Sequence, residues 1–223
     1  MPDSRPVPEV SREVIRTAHM MWERQWVANH EGNITVRLPA DRILSTPTAM
    51  SKGDLKETDL IIVDLFGRRI RGTKRPFSEL SMHLEVYRNR GDVSAVVHAH
   101  PPYATAFAFA SQEIEGRFAP EFAVSMGPKI PLVKFGVPGT EALLNNLRPF
   151  LEGYDCVLLE NHGVLCWGSS LTQARLRLEH VELYAKQLFL ASQIGPVKSL
   201  PETALMILAE KRRKAGLGPQ GRS

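Results

Sequence analysis

The chain has 223 residues, of which 43% are hydrophobic and 23% charged, with a formal net charge of +4; this balance suits one domain that closes its own core without disulfide staples. Its two cysteines, Cys156 and Cys166, make no disulfide framework, no apolar run approaches the length of a bilayer crossing, and the opening residues lack a secretory pattern, so a cytoplasmic protein is expected. The positive excess gathers in Lys211, Arg212, Arg213 and Lys214 and beyond, a fraying end that gives no footing for nucleic-acid binding.

Residues 1–8 are proline-rich and expected to be mobile. Ser11 reads as the N-cap of a helix whose Ile15, Ala18, Trp22 and Trp26 recur at helical spacing as a core stripe, with His19 a surface or packing residue. Asn29, His30, Glu31 and Gly32 stop that helix. Four short β segments follow at 34–37, 42–45, 60–65 and 68–71, antiparallel and tightly joined. Ser78 then reads as the N-cap of a helix with the stripe Leu80, Leu84 and Tyr87, Glu79 in its first turn and an end by Gly91.

Val93 opens a strand that runs to His98 and His100. Side chains alternate along a strand, so these two point to one face, where they either grip a metal ion together or pack as partly buried imidazoles. Pro101 and Pro102 end the strand and allow a helix from Tyr103 to Ala110. The region 114–137 has no clear period apart from an edge strand at 130–133. A helix at 139–151 precedes strands at 155–160 and 164–167, whose turn of Asn161, His162 and Gly163 presents His162 at a hairpin tip. Cys156 and Cys166 fall opposite each other there and read as core. Ser170 and Gln173 make a capping box for the longest helix, 171–193, in which Ala174, Leu178, Val181, Ala185 and Leu188 face either the interior or another subunit. A last helix covers 200–214, and 215–223 is expected to be a flexible basic tail. The mixture predicts a single α/β domain at 9–214 with a mixed or antiparallel sheet.

His98, His100 and His162 stand where they can converge. Three neutral imidazoles with one exchangeable position is the donor set of a catalytic zinc site, and the lack of a Cys-x-x-Cys pair favours that type over a structural one. Glu79, near a helix N-terminus, is a candidate fourth ligand or base, or a carboxylate that only complements the helix dipole. The loops at 32–35 and 45–49 offer amides and hydroxyls to an anion, although ordinary turns are made of the same residues. No Walker loop, dinucleotide fingerprint or Gly-x-Ser-x-Gly elbow is present.

Five spaced motifs, Gly-Asn-Ile-Thr-Val-Arg at 32–37, Ser-Thr-Pro-Thr at 45–48, Ser78-Glu79-Leu80, His-Ala-His-Pro-Pro at 98–102 and Glu-Asn-His-Gly-Val-Leu at 160–165, together resemble the class II aldolase/adducin family. The resemblance runs from the first helix to near residue 193. It implies a three-layer α/β/α domain with a central, mainly antiparallel sheet. It also implies a divalent metal, zinc foremost and Mn2+, Co2+ or Fe2+ as alternatives, on His98, His100 and His162, with Glu79 as an additional resting ligand and catalytic acid/base. Its phosphate-binding positions fall on Gly32, Asn33, Thr48, Ala49, Phe77 and Ser78. The implied partners are a small-molecule substrate and further copies of the chain, as a homotetramer with active sites near subunit boundaries, and neither nucleic acid nor membrane. The implied activity is reversible aldol cleavage of a hydroxy-carbonyl compound, a ketose phosphate such as fuculose 1-phosphate giving dihydroxyacetone phosphate and an aldehyde. Same-site epimerase, dehydratase or decarboxylase chemistry and a non-catalytic adducin-head-like module are the alternatives. Two departures bear on the substrate: Ala49 and Phe77 replace the glycine and serine of the phosphate loops, placing an aromatic ring where a phosphate should bind, and the tyrosines that protonate the leaving group have no counterpart around 118–124 or after Tyr184.

Overall fold

The structure, a computed structural model, describes residues 1–218; positions 219–223 of the expected tail lie outside them. Strands β1 (Asn33–Leu38), β2 (Arg42–Ser45), β3 (Ile61–Asp64) and β4 (Arg69–Arg71) form the expected antiparallel meander. Strand β5 (Ala95–Ala99) inserts on the other side of β1. Two short strands, β6 (Ile114–Glu115) and β7 (Lys129–Ile130), pair as a separate ribbon. With β8 (Leu132–Val133), β9 (Cys156–Leu159) and β10 (Gly163–Gly168), the main sheet has eight strands in the order β4-β3-β2-β1-β5-β10-β9-β8. Among the described residues only the β8–β9 pairing is parallel.

Helices cover both faces, so the central strands read as near-continuous apolar runs rather than alternating ones. On one side α1 (Val7–Glu23), α3 (Pro102–Phe109) and α6 (Leu171–Ile194) enclose Val10, Ile34, Val97, Leu158 and Leu178. On the other, α2 (Leu80–Asn89) and α5 (Glu141–Leu151) enclose Ile43, Leu84, Val96, Leu147 and Trp167. Val96 and Val97 enter opposite cores, as period 2 demands, and each fully buried aliphatic side chain contributes about 1.5–3 kcal/mol. This is the three-layer α/β/α architecture. α4 (Pro120–Ser125) and α7 (Glu202–Lys214) pack on each other beside it. Among the described residues no helix is long and apolar enough to cross a membrane.

Several boundaries differ from expectation. α1 begins at Val7, so Ser11 is not its cap but lies buried inside it. The buried stripe is Val10, Val14, Ala18 and Met21, while Trp22 is 51% exposed and Trp26 is buried only beyond the helix end. Two residues of the segment expected to be mobile are therefore helical, and ahead of them the Asp3 N–H donates to the Arg37 carbonyl at 2.8 Å. Ser78 is exposed and caps nothing; the N-cap position of α2 belongs to Glu79, whose side chain turns instead toward the histidines. The strand expected at 130–133 is divided at Pro131 between the ribbon and the main sheet, and its second half is the edge strand β8.

The hairpin and the long helix are as read. Cys156 pairs with Cys166 across β9–β10, both thiols free and buried. Ser170 Oγ accepts from the Gln173 N–H at 3.1 Å, while Gln173 Oε1 accepts from the N–H of Ser169 at 2.9 Å, one residue earlier than in an ideal box. Ala174, Leu178, Val181 and Ala185 face the interior, and Leu176 and Leu183 are exposed. Asp155, at the foot of the hairpin, pairs with Arg90 after α2 at 2.9 Å and with Arg177 of α6 at 2.7 Å. The open end of the hairpin, opposite the turn that carries His162, is thus tied to the end of α2 and to α6.

Candidate metal centre

The site forms where β5 ends. The His100 N–H still donates to the Trp26 carbonyl at 2.8 Å, but Pro101 then removes the donor that would extend the strand. In the sheet register Asn33 of β1 and Leu165 of β10 flank His98, so Asn33 and His98 emerge side by side on the face covered by α2. His162 comes from the β9–β10 turn, where Asn161 adopts a left-handed φ of 56°. Gly163 follows because a Cβ there would lie 2.5 Å from His100 Cδ2 and 2.6 Å from the Ala99 carbonyl. Any side chain at 163 would displace the ring.

The three rings converge with centroid separations of 4.7–5.0 Å, and one ligand nitrogen from each lies within 4.8 Å of the others. His98 Nδ1 contacts the Val164 carbonyl at 2.9 Å and must be the donor, since a carbonyl only accepts. His100 Nδ1 faces the Glu31 carboxylate at 3.3 Å and is a donor for the same reason. Both Nε2 atoms are left with lone pairs, and these stand 3.1 Å apart. Two facing lone pairs repel unless a cation lies between or beside them. Burial, foremost, holds His98 and His100 below the ordinary imidazole range, which keeps them neutral and ready to ligate.

Glu79 closes the group. Its Oε1 is 2.9 Å from His162 Nε2 without hydrogen-bond geometry, and its Oε2 is 3.6 Å from His98 Nε2 and accepts from Asn33 Nδ2 at 3.1 Å. Burial pushes this carboxyl up, but the facing His98 and His162 and the Asn33 amide outweigh it and hold Glu79 far below the usual carboxylate range. Buried Glu79 Oε1 and Asn33 Oδ1 lack a hydrogen-bond partner among the described residues. Three convergent imidazoles, an ionised carboxylate and no thiolate fit a divalent cation of the zinc type.

The expected phosphate positions are brought together only in part. Gly32, with φ 67°, is buried under Val27, and Asn33 is engaged with Glu79. Thr48 is half-buried, and Ala49 is exposed with a left-handed φ of 58°. Ser78 is exposed at the mouth. The Phe77 ring does not enter the expected anion site: it is 8% exposed, turned into the core and edge-on to His83 at 5.2 Å. Only its backbone remains at the loop.

Two residues were missed. Glu31, read as part of a helix stop, orients His100. Lys52, in the loop between β2 and β3, is 1% exposed, and its ammonium donates to the carbonyls of Met50 at 3.0 Å and His30 at 3.4 Å. Burial lowers it to about 8, with Glu31 and Glu79 opposing. Neither residue lies in a periodic segment, so only the order of loops in space reveals them.

A sequence profile of the class II aldolase and adducin N-terminal domain matches residues 12–189. A protein of Methanococcus maripaludis named L-fuculose phosphate aldolase is 36% identical over 172 residues, which cover 77% of this chain and 92% of that one. A protein of Pectobacterium atrosepticum named 3-oxo-tetronate 4-phosphate decarboxylase is 32% identical over 182 residues, 80% of this chain and 83% of that one. A solved structure titled L-fuculose 1-phosphate aldolase superposes with a TM-score of 0.83 at 31% identity, covering 91% of this chain and 95% of that one.

Proposed function

The chain belongs to the class II aldolase and adducin N-terminal domain family, as an aldolase-type lyase, and from that premise we propose that it catalyses reversible, metal-dependent aldol cleavage of a ketose phosphate. L-fuculose 1-phosphate is the leading substrate, giving dihydroxyacetone phosphate and an aldehyde. The observation that carries this reading is the meeting of two unpaired Nε2 lone pairs with the His162 ring and the buried Glu79 carboxylate. His98, His100 and His162 would hold a divalent cation, zinc foremost, whose Lewis acidity would polarise a bound carbonyl.

The protein's own groups do the rest. Glu79 is ionised at neutral pH and accepts or returns a proton at the carbon where the bond breaks. Asn33 holds one carboxylate oxygen and leaves the other facing the histidines. The substrate's phosphate is received by the loops carrying Gly32, Asn33, Thr48, Ala49, Phe77 and Ser78, with the Phe77 contribution confined to its backbone. Sugar phosphates are charged and do not cross membranes unaided, so the reading carries a cytoplasmic location with it. A homotetramer with active sites near subunit boundaries is part of it too; the exposed Leu176, Leu183 and Leu190 on the outer face of α6 support it, and light scattering checks it.

A second reading, decarboxylation of a phosphorylated keto acid at the same site, is supported by the relative of that name. A non-catalytic module is disfavoured because all three histidines and Glu79 are retained. The test is a zinc-loaded preparation offered L-fuculose 1-phosphate and a panel of ketose and keto-acid phosphates, with products read by NMR. Release of dihydroxyacetone phosphate is expected, with kcat lowered roughly 10²–10⁴-fold in Glu79→Gln. Released carbon dioxide selects the second reading, and an unreacted panel rejects both.

A further inference from the structure

Lys52 is buried within reach of the attraction of Glu31 and Glu79, and the proposed chemistry has no use for it. Its two hydrogen bonds go to neutral carbonyls, and those carbonyls belong to different loops: His30 precedes Gly32 and Asn33, and Met50 follows Thr48 and Ala49. These are the two loops that are expected to receive phosphate. Glu31 and Glu79 attract the ammonium from beyond contact, but both are turned to the histidines. A buried ammonium with only neutral partners is costly, and an anion arriving between its two loops relieves that cost.

The chain also has one hydroxyl fewer there: Phe77 stands where the family resemblance places a serine, and its ring occupies the core. Thr48 and Ser78 remain as the hydroxyl donors among the expected phosphate positions. A positive charge compensates for the hydroxyl that is missing.

We propose that Lys52 is a positioning residue for the substrate's phosphate: it clamps the 30–33 loop to the 46–50 loop through one carbonyl on each, and supplies the positive charge beneath the anion they receive. The inference rests on the sugar-phosphate reading above and deepens it. Its selectivity follows from charge: a phosphate dianion gains more from a buried ammonium than a carboxylate monoanion does.

The test is calorimetric titration of inorganic phosphate into zinc-loaded wild type, Lys52→Met, Lys52→Gln and Lys52→Arg, with zinc content measured on the same samples. Lys52→Met and Lys52→Gln are expected to bind phosphate at least tenfold more weakly with zinc content unchanged, and Lys52→Arg to stay within about threefold of wild type. With a cleaved sugar phosphate, KM rises in the Met variant while kcat stays within about threefold. Lys52→Gln keeps a polar chain of similar length, so a folding defect in the Met variant does not decide the matter. Phosphate affinity within twofold of wild type in a folded Met or Gln variant overturns the proposal, as does wild type that holds zinc and binds no phosphate. A loss confined to acetate, titrated in parallel, overturns it as well. Failure of the metal reading is distinguished by absent zinc in the wild type.

Discussion

The histidine cluster and the two loops proposed to receive phosphate lie side by side but are built on different principles. His98 is set by the register of three strands, His100 by the first residue past β5, and His162 by a hairpin that Asp155 ties to two helices. Beyond the Ile34–Thr46 bonds that close the β1–β2 pairing, the loops at 30–33 and 46–50 share no ladder; Lys52 bonds one carbonyl of each, and Gly32 and Ala49 take left-handed turns. Chemistry that tolerates little displacement is placed on the sheet, and recognition that must suit a particular substrate is placed on loops that can vary without disturbing it.

This contrast can be broken first at the histidines. His100→Ala removes one of three imidazoles, and zinc measured by elemental analysis is expected to fall to near zero; wild-type zinc in that variant would refute the site. Glu31 is where the two regions touch, since it sits in the 30–33 loop and faces His100 Nδ1 at 3.3 Å. Glu31→Gln is expected to weaken zinc binding about 10–100-fold, read by competition with a chromophoric chelator.

A third effect lies beneath the cluster. His83 is fully buried on the same face, its Nδ1 2.8 Å from Thr35 Oγ1, and burial, opposed by Glu79, pushes it down from 6.5 to about 3. The unfolded chain therefore binds a proton that the folded one refuses, so stability is full above pH 6.5 and is lost as pH falls toward 3, at about 1.4 kcal/mol per pH unit. Urea titrations of metal-free wild type and His83→Gln between pH 6.5 and 4.5 should show a shallower acid limb in the variant. The smallest effect belongs to the loops. Ala49→Gly relieves a left-handed alanine but loosens the unfolded chain, for a net stabilisation of at most about 1 kcal/mol by thermal melting.

What could be read in advance follows the same division. His98 and His100 were legible because strand alternation leaves no choice of face, and His162 because Asn161 and Gly163 mark a tight turn between apolar runs. Glu79 was legible as a member of a motif, but its place was not: its carboxylate is drawn to Asn33 and the histidines, so it occupies the cap position assigned to Ser78. α1 misled because its tryptophans share the spacing of the true stripe one residue away, and Trp22 packs over the backbone at Gly53 instead of entering the core. The 114–137 region stayed opaque because its strands are two residues long, below any period. Glu31 and Lys52 act through loops that meet only in three dimensions.

The ends of the main sheet have a consequence of their own. At one margin β4 offers Arg69, Ile70 and Arg71, all exposed; at the other, β8 is two residues long and follows directly on Pro131. A foreign strand seeking to extend the sheet meets arginine charge on one side and a missing N–H on the other. A sheet apolar enough to bury both faces is thereby kept from templating its own aggregation while the newly made chain completes its fold.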